Sequence, residues 1–459
     1  MKNKIVFIIS LSLVGCSLAP TYTRPPSAAD VTETIKEGNS LKKSRLYDLY
    51  ISDKYLSQVL YNALNNNADI QKSALRIRSA QAQTWRSIAD LIPSIDFRTN
   101  QTIAMSSQIN PFNGEQYKNK TKTFQSSIGF DSYEVDIWGK TLSEINAKND
   151  ERASFEYTAA AVRLSLMADI ISNWYETLSM IRIWHILNEK KMLLNSLASG
   201  LDTIQRQQRL DPLVFAKFFK GKNSDTESLL NLEKEIVSRI HKIEYLSGFS
   251  SPWLNVNKWQ SISGEYNVPE FADKISSSVV FERPDVLSSE MNIRVANGNI
   301  GAARAAFLPV INIFSRAYHT SESLDKVIGN LTKNWTLTPT IIFPIFSFPK
   351  SWANLEYAKS QQAIAIIEYK DTIANALKDI KDSANSLSVN SQLFVLKSEE
   401  TEVQKANYNK LKLRHESGYL DLYSLYESLD IYYTSLVELE SNRQQLMDNT
   451  IILLKSIGG

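Results

Sequence analysis

Cysteine is almost missing from this chain: Cys16 is the only one in 459 residues, so no disulfide can form within it. Neither sign of charge is in excess. Fifty-one Lys and Arg stand against 49 Asp and Glu, a net charge of +2, which points away from nucleic acid and other polyanions as partners. The four histidines, His185, His241, His319 and His415, are scattered without metal-ligand spacing. There is no P-loop, no Gly-x-Ser-x-Gly and no His-Glu-x-x-His, so no catalytic residue is assigned and the reading is of a non-enzyme. Past residue 15 no apolar run approaches the roughly 20 residues of a transmembrane helix. A mature chain that crosses a membrane must therefore do so as a β-barrel.

What is present begins at the amino terminus. Lys2 and Lys4 precede an apolar run from Ile5 to Leu13, the layout of an export signal. Leu13-Val14-Gly15-Cys16 then looks like a lipobox. This predicts a lipoprotein signal peptide over 1–15 and a lipidated segment over 16–50. Cys16 becomes the first residue and carries a covalent lipid, with chains such as palmitate; no other cofactor is implied. Several acyl chains anchor far more firmly than one. Ser17 follows, not the aspartate that commonly retains lipoproteins in the inner membrane. The other reading of Cys16 is a free thiol in a cleaved secretory peptide.

Self-similarity organises the rest. Ile77-Arg78, Ala80, Ala89, Pro93 and Ile95 recur as Ile293-Arg294, Ala296, Ala305, Pro309 and Ile311 at one constant offset, which Asp69-Ile70 and Asp285-Val286 share. The cassette Lys217 to Gly221 parallels Arg414 to Gly418 at a shorter offset, implying extra residues in the first half, assigned to an irregular stretch from Gly200 to Ala216. Gly248 to Pro269 reads as a connector. The expected domains are a first repeat over 51–269 and a second over 270–459, each a helix, two strands and two very long helices.

Pro93 ends the opening helix. Beyond it Ile95, Phe97, Ile103 and Met105 alternate with Ser94, Asp96, Arg98, Asn100 and Thr102, the period of a strand, expected over about 94–105. A polar loop from Ser106 to Lys122 leads to a second strand over about 123–135, with Phe124, Ile128 and Phe130 set against Gln125, Ser127 and Asp131. In the second repeat the strands are expected over 310–318 and 335–344, where Trp335, Leu337, Ile341 and Phe343 alternate with Thr336, Thr338 and Thr340. Strands of about ten residues match a tilted membrane crossing; a small soluble sheet with one covered face is the competing reading. Four strands cannot close a barrel, for which about eight is the minimum. Oligomerisation follows, and three chains would supply the twelve strands of an open conduit.

The long helices are marked by missing breakers. From Thr141 to Ser199, Ser224 to Ser247, Trp352 to about Ser398 and Glu399 to Ile457 there is no proline, and Gly418 is the single glycine. Ala358, Ile366, Ile373, Leu377, Ile380 and Leu387 recur at coiled-coil spacing.

Over essentially the whole mature chain these segments resemble the TolC-like outer membrane factor family, in its lipoprotein branch. The likeness is carried by Cys16-Ser17-Leu18-Ala19-Pro20 with Tyr22 and Arg24-Pro25, by Tyr133 to Lys140, by Arg283-Pro284-Asp285-Val286, by Ile300 to Pro309, and by Arg414 with Gly418 and the final Gly458-Gly459. The resemblance implies a homotrimer with a shared twelve-stranded β-barrel in the outer membrane and a long α-helical barrel in the periplasm. It implies passive export of small molecules such as drugs, with a periplasmic adaptor and an inner-membrane proton-driven or ATP-driven transporter. An exit duct for a secreted protein is the alternative, and a pore-less lipid-anchored scaffold a remote one.

The resemblance also places acids six and nine positions after the tip glycine. Counted from Gly418 these are Ser424 and Glu427, so one acid is missing; Asp421 lies nearby, and the first-half tip offers Asp225 and Glu227. Three-fold symmetry would turn any one of these carboxylates into a ring, and charge rings select ions; a solvated helix face is the other reading. Arg414, Gly418, Lys217 and Gly221 are the candidate tip contacts with the adaptor. Where the family carries a glycine pair after the second hairpin, this chain has Pro344 to Lys350.

Overall fold

The computed structural model describes residues 18–25, 53–109, 111–112, 114–206, 212–249, 253–269, 277–321 and 334–458. Cys16, Ser17 and the expected signal peptide lie outside them, as does Gly459. The order is α1 (Lys54–Asn66), α2 (Ala68–Ala89), β1 (Asp96–Ile109), β2 (Gln116–Glu134), α3 (Lys140–Arg206), α4 (Pro212–Ser247), α5 (Pro284–Ala305), β3 (Val310–Ser321), β4 (Asn334–Ile342), α6 (Phe348–Glu416) and α7 (Leu422–Ser456). The protein is mainly helical. No described helix is long and apolar enough to cross a membrane.

Two compact units share the chain. The first takes in the described parts of Met1–Pro25, Ile77–Phe155 and Ser289–Tyr369, the second those of Pro26–Arg76, Glu156–Ser288 and Lys370–Gly459. In the first, the strands form one antiparallel sheet in the order β1-β2-β3-β4. Phe97 faces Ile128, Ile128 faces Ala317 and Ala317 faces Trp335. One face therefore carries Phe97, Ile103, Met105, Ile128, Trp335, Leu337 and Ile341, all exposed in the single chain. The other carries Asp96, Arg98, Asn100, Thr102, Gln125, Ser127, Arg316, Thr336, Thr338 and Thr340.

The first hairpin is longer than the expected 94–105 and 123–135. The supposed loop from Ser106 to Lys122 is mostly strand, because both faces turn polar there and the hydrophobic alternation that betrays a strand disappears. Cross-strand pairs hold the extension: Gln116 Nε2 donates to Ser107 Oγ at 2.8 Å and Tyr117 OH to Gln108 Oε1 at 2.7 Å.

Each hairpin hands over to a long helix at its own kind of corner. Before α3, Gly139 sits in the left-handed region at φ 65°. Asp136 accepts from the backbone N–H groups of Thr141 (3.1 Å) and Leu142 (2.8 Å), capping the helix, and Trp138 Nε1 donates to Pro309 O at 2.7 Å. Before α6 there is no glycine. Phe348 packs edge-on against Phe307 at 5.6 Å instead, and Ser351 N donates to Ser347 O.

Among the described residues the helical unit shows a core at each of two places. One surrounds Trp174, fully buried with Leu56, Ile170, Ile171, Ile181, Ile236 and Ile240. Asp53 caps α1 through Tyr55 N (2.8 Å) and accepts from Trp174 Nε1 (3.0 Å), while Trp253 stacks on both Tyr55 and Trp174. The connector is thus part of this core. Arg283 donates to Ser456 O at 2.9 Å and to Asp285 at 2.7 Å, tying the start of the second repeat to the end of α7. The other core lies around Phe218, Tyr426 and Tyr433.

Two helix boundaries correct the sequence reading. No break occurs at 398–399, where Ser-Glu-Glu offers no obstacle; α6 runs on to Glu416, and the turn comes at Gly418 with φ 79°. The stretch from Gly200 to Ala216 is not irregular throughout: α3 continues to Arg206, and α4 begins at Pro212, a residue suited to the first helical position.

Candidate functional site

The turn between α6 and α7 is built by glycine and capped by acid. Tyr419 N donates to Arg414 O and Gly418 N to His415 O, each at 2.9 Å, closing the end of α6 around a left-handed residue. His415 Nδ1 lies 2.8 Å from Leu420 O, which makes Nδ1 the donor. Asp421 then caps α7, accepting from Ser424 N at 2.9 Å and from Ser424 Oγ at 2.6 Å. The Ser424 hydroxyl, aided by nearby backbone N–H groups, holds the Asp421 carboxyl below its usual range. Ser424, where the resemblance places an acid, is the hydroxyl partner of the acid three residues earlier.

Asp421, Ser424, Glu427 and Asp430 follow at three-residue intervals along one row of α7. Asp421 and Glu427 are exposed. Asp430 and Asp225 converge on Lys190 of α3, whose Nζ lies 2.7 Å from Asp430 Oδ1 and 2.9 Å from Asp225 Oδ1. Lys190 is only 3% exposed, so its charge is matched by two carboxylates rather than water. Asp225 is therefore engaged, whereas Glu227 is exposed. The sequence reading missed Lys190 and Asp430. Asp430 was one step further along the row from Glu427; Lys190 carries no local signal, since its partners come from two other helices.

Gly221 and Lys217 do not mirror Gly418 and Arg414. Both lie inside α4, because Pro212 has already started that helix and Gly221 has no left-handed φ. Gly221 serves packing: a Cβ there would sit 2.2 Å from Tyr426 Oη, while Phe218 meets Tyr426 edge-on at 4.9 Å. Lys217, Arg414 and Gly418 are exposed.

In the sheet unit the polar face carries a closed charge cluster. Arg316, 8% exposed, donates to Asp96 (3.0 Å), Ser127 Oγ (3.0 Å) and Asp131 (2.6 Å). Arg98 bridges the same acids at 2.6 and 2.5 Å. Gly129 leaves the necessary room, as a Cβ there would meet Ser315 O at 2.1 Å.

The amino-terminal residues 18–25 lie against α5. Glu290, 4% exposed, accepts from Arg24 at 2.6 Å and from Tyr22 OH at 3.0 Å; burial and this carboxylate push the Tyr22 phenol up to about 12. Arg294 lies over the Tyr22 ring, Arg304 donates to Leu18 O, and Gly301 admits the backbone of Ala19.

A sheet with an exposed apolar face, long paired helices and an acidic turn defines a class. The chain matches the family model described as outer membrane efflux protein over residues 59–206 and 276–459, and it belongs to that family. It is thus an outer-membrane efflux protein, a channel of the TolC-like fold. It is 25% identical to the probable outer membrane lipoprotein SilC of Salmonella typhimurium, covering 97% of this chain and 96% of that one. It is 24% identical to the cation efflux system protein CusC of Escherichia coli K12, over 99% and 98%. Among solved structures it is similar to the CmeC outer membrane channel of Campylobacter jejuni, at a TM-score of 0.82 and 21% identity over 96% and 95%.

Proposed function

We propose that three copies of this chain form the passive exit duct of a tripartite efflux system for cations or other small toxic compounds. The observation that carries this reading is the four-stranded sheet, whose outer strands β1 and β4 have no strand neighbour among the described residues. Its apolar face is bare, while the arginines of its polar face are paired with acids. In lipid an open edge leaves backbone groups unpaired, so the sheet needs β1 of one copy on β4 of the next. Twelve strands close a barrel with an aqueous interior. The helices support the same assembly: Ile364, Ile367, Val389, Val395, Leu396 and Val403 on α6 are exposed in the single chain and would be covered by a neighbour.

In this reading the repeats of 51–269 and 270–459 each supply one hairpin and one helix pair. Acyl chains on Cys16 anchor the assembly, and the clamp of residues 18–25 on α5 holds the anchor close to it. The turn at Gly418 with Arg414, and the surface around Lys217, meet a periplasmic adaptor that connects to an energised inner-membrane transporter. Three-fold symmetry makes rings of Asp421 and Glu427, which favour cations. The substrate class draws on the cation efflux named for the CusC relative.

The test is purification in detergent followed by planar bilayer recording. A trimer resistant to dissociation, with stable conductance, is the expected outcome; a monomer without conductance overturns the duct.

A further inference from the structure

The extension of β2 places three lysines where the sequence reading had put a loop. Lys118, Lys120 and Lys122 are paired with Ser107, Met105 and Ile103, so all three project from the apolar face, the one bearing Phe97 and Trp335. Lys122 Nζ lies 5.0 Å from the centroid of the Phe124 ring, two residues on along the same face. All three are exposed, and among the described residues none pairs with a carboxylate. Through the paired registers that face carries no Asp or Glu on any of the four strands. The arginines Arg98 and Arg316 are on the opposite face, each engaged with acids.

Their height is what gives the three a ligand. From Phe97 to Ile103 the strand advances about 20 Å, and to Ser107 about 33 Å. At a barrel tilt of roughly 40° these become heights of about 15 and 25 Å, against an apolar band of about 25 Å. Lys118 is therefore at the headgroup level and Lys120 reaches it by extending its stem along the apolar surface; Lys122, about 10 Å lower and turned toward Phe124, continues the row beneath them. Alternate residues stand about 7 Å apart, so the ladder presents a row of ammonium groups, compact point charges suited to phosphate.

We propose that Lys118 and Lys120 form a binding site for the phosphate groups of a phosphorylated glycolipid in the outer leaflet, with Lys122 adding to the positive field from beneath. The site rests on the barrel reading above, because only there is this face turned to lipid. The glycolipid packs its chains on Ile103, Met105 and Ile109 and its phosphates on the ladder, three times around the trimer.

The experiment reconstitutes the full-length protein in phosphatidylcholine vesicles, with and without lipid A, and follows melting of the trimer and retention of lipid A on purification. Lipid A raises the melting temperature of the native protein. The K118Q/K120Q/K122Q variant loses that rise and binds lipid A at least about twenty-fivefold more weakly, at about fivefold for each of the two lysines at the headgroup level. The corresponding triple arginine variant keeps the rise. Should the triple glutamine variant not insert, K120Q alone is read, with a smaller loss expected. A full rise retained in the glutamine variants, or an equal rise from inorganic phosphate without lipid A, overturns the site. Failure of the native protein to insert as a trimer in plain phosphatidylcholine counts instead against the duct.

Discussion

The polar face of the sheet and the turn of the helical unit handle charge in opposite ways. On the sheet, Arg98 and Arg316 meet Asp96 and Asp131 within 3.0 Å, and the cluster sums to zero. Beside the turn, Asp430 and Asp225 share one buried cation, Lys190, while Asp421 and Glu427 stay exposed. A neutral wall exerts little field on what passes, whereas uncompensated carboxylates repeated by symmetry attract cations and repel anions. Selectivity in the proposed duct therefore belongs to the helical end, and the wall of the sheet is permissive.

The largest expected effect strikes the neutral cluster at its base. Gly129→Val forces a side chain into the Ser315 carbonyl, separating β2 from β3 at a cost of about 3 kcal/mol. Loss of the dissociation-resistant trimer on a gel is the expected outcome, and an intact trimer would show that the wall tolerates rearrangement. Next comes the buried cation shared by Asp225 and Asp430. Lys190→Met leaves Asp225 and Asp430 facing each other, destabilising the helical unit by about 3 kcal/mol, measured as faster hydrogen exchange in α4 and α7. Unchanged exchange would mean that water or ions already screen the pair.

Selectivity sharpens the contrast directly. Glu427→Ala weakens cation preference in bilayer recordings, while the balanced double change D96N with R98Q in the sheet leaves it unaltered. The reverse result would move the filter to the barrel. The smallest effect is in the cap: Asp421→Ala costs about 1 kcal/mol. Because the folded carboxyl sits below its usual range, that contribution is present above the unfolded value of about 3.9 and lost as pH falls through the folded one. Thermal melts of variant and parent therefore differ at neutral pH and converge at strongly acidic pH.

The long helices and the alternating strands were legible because their signals are local. Missing breakers announce α3 and α6, and Trp335, Leu337 and Ile341 announce β4. Gly418 was placed at a tip by the resemblance alone, since the proline-free run from Glu399 to Ile457 was read straight through it. Signals that depend on a partner were lost. Lys118 to Lys122 read as loop because polar-polar alternation has no hydrophobic period, although a lysine at every second position before Phe124 was a visible clue. Gly221 read as a turn glycine because its cassette copies that of Gly418; only Tyr426, more than 200 positions away, reveals it as a space for an aromatic ring. Lys190 was invisible among the other lysines of α3, since what distinguishes it is burial between acids of α4 and α7.

The two unpaired strands also set the timing of biogenesis. Because β1 and β4 find no strand neighbour among the described residues, a newly exported copy of the proposed duct has nothing to close against and carries two adhesive edges through the periplasm. If three copies close the barrel as proposed, folding of the sheet depends on how many sister chains are at hand, and its stability is inseparable from protomer concentration. A cell making too little of this protein would obtain fewer pores than a proportional count predicts, the shortfall appearing as orphan chains cleared before they reach the membrane.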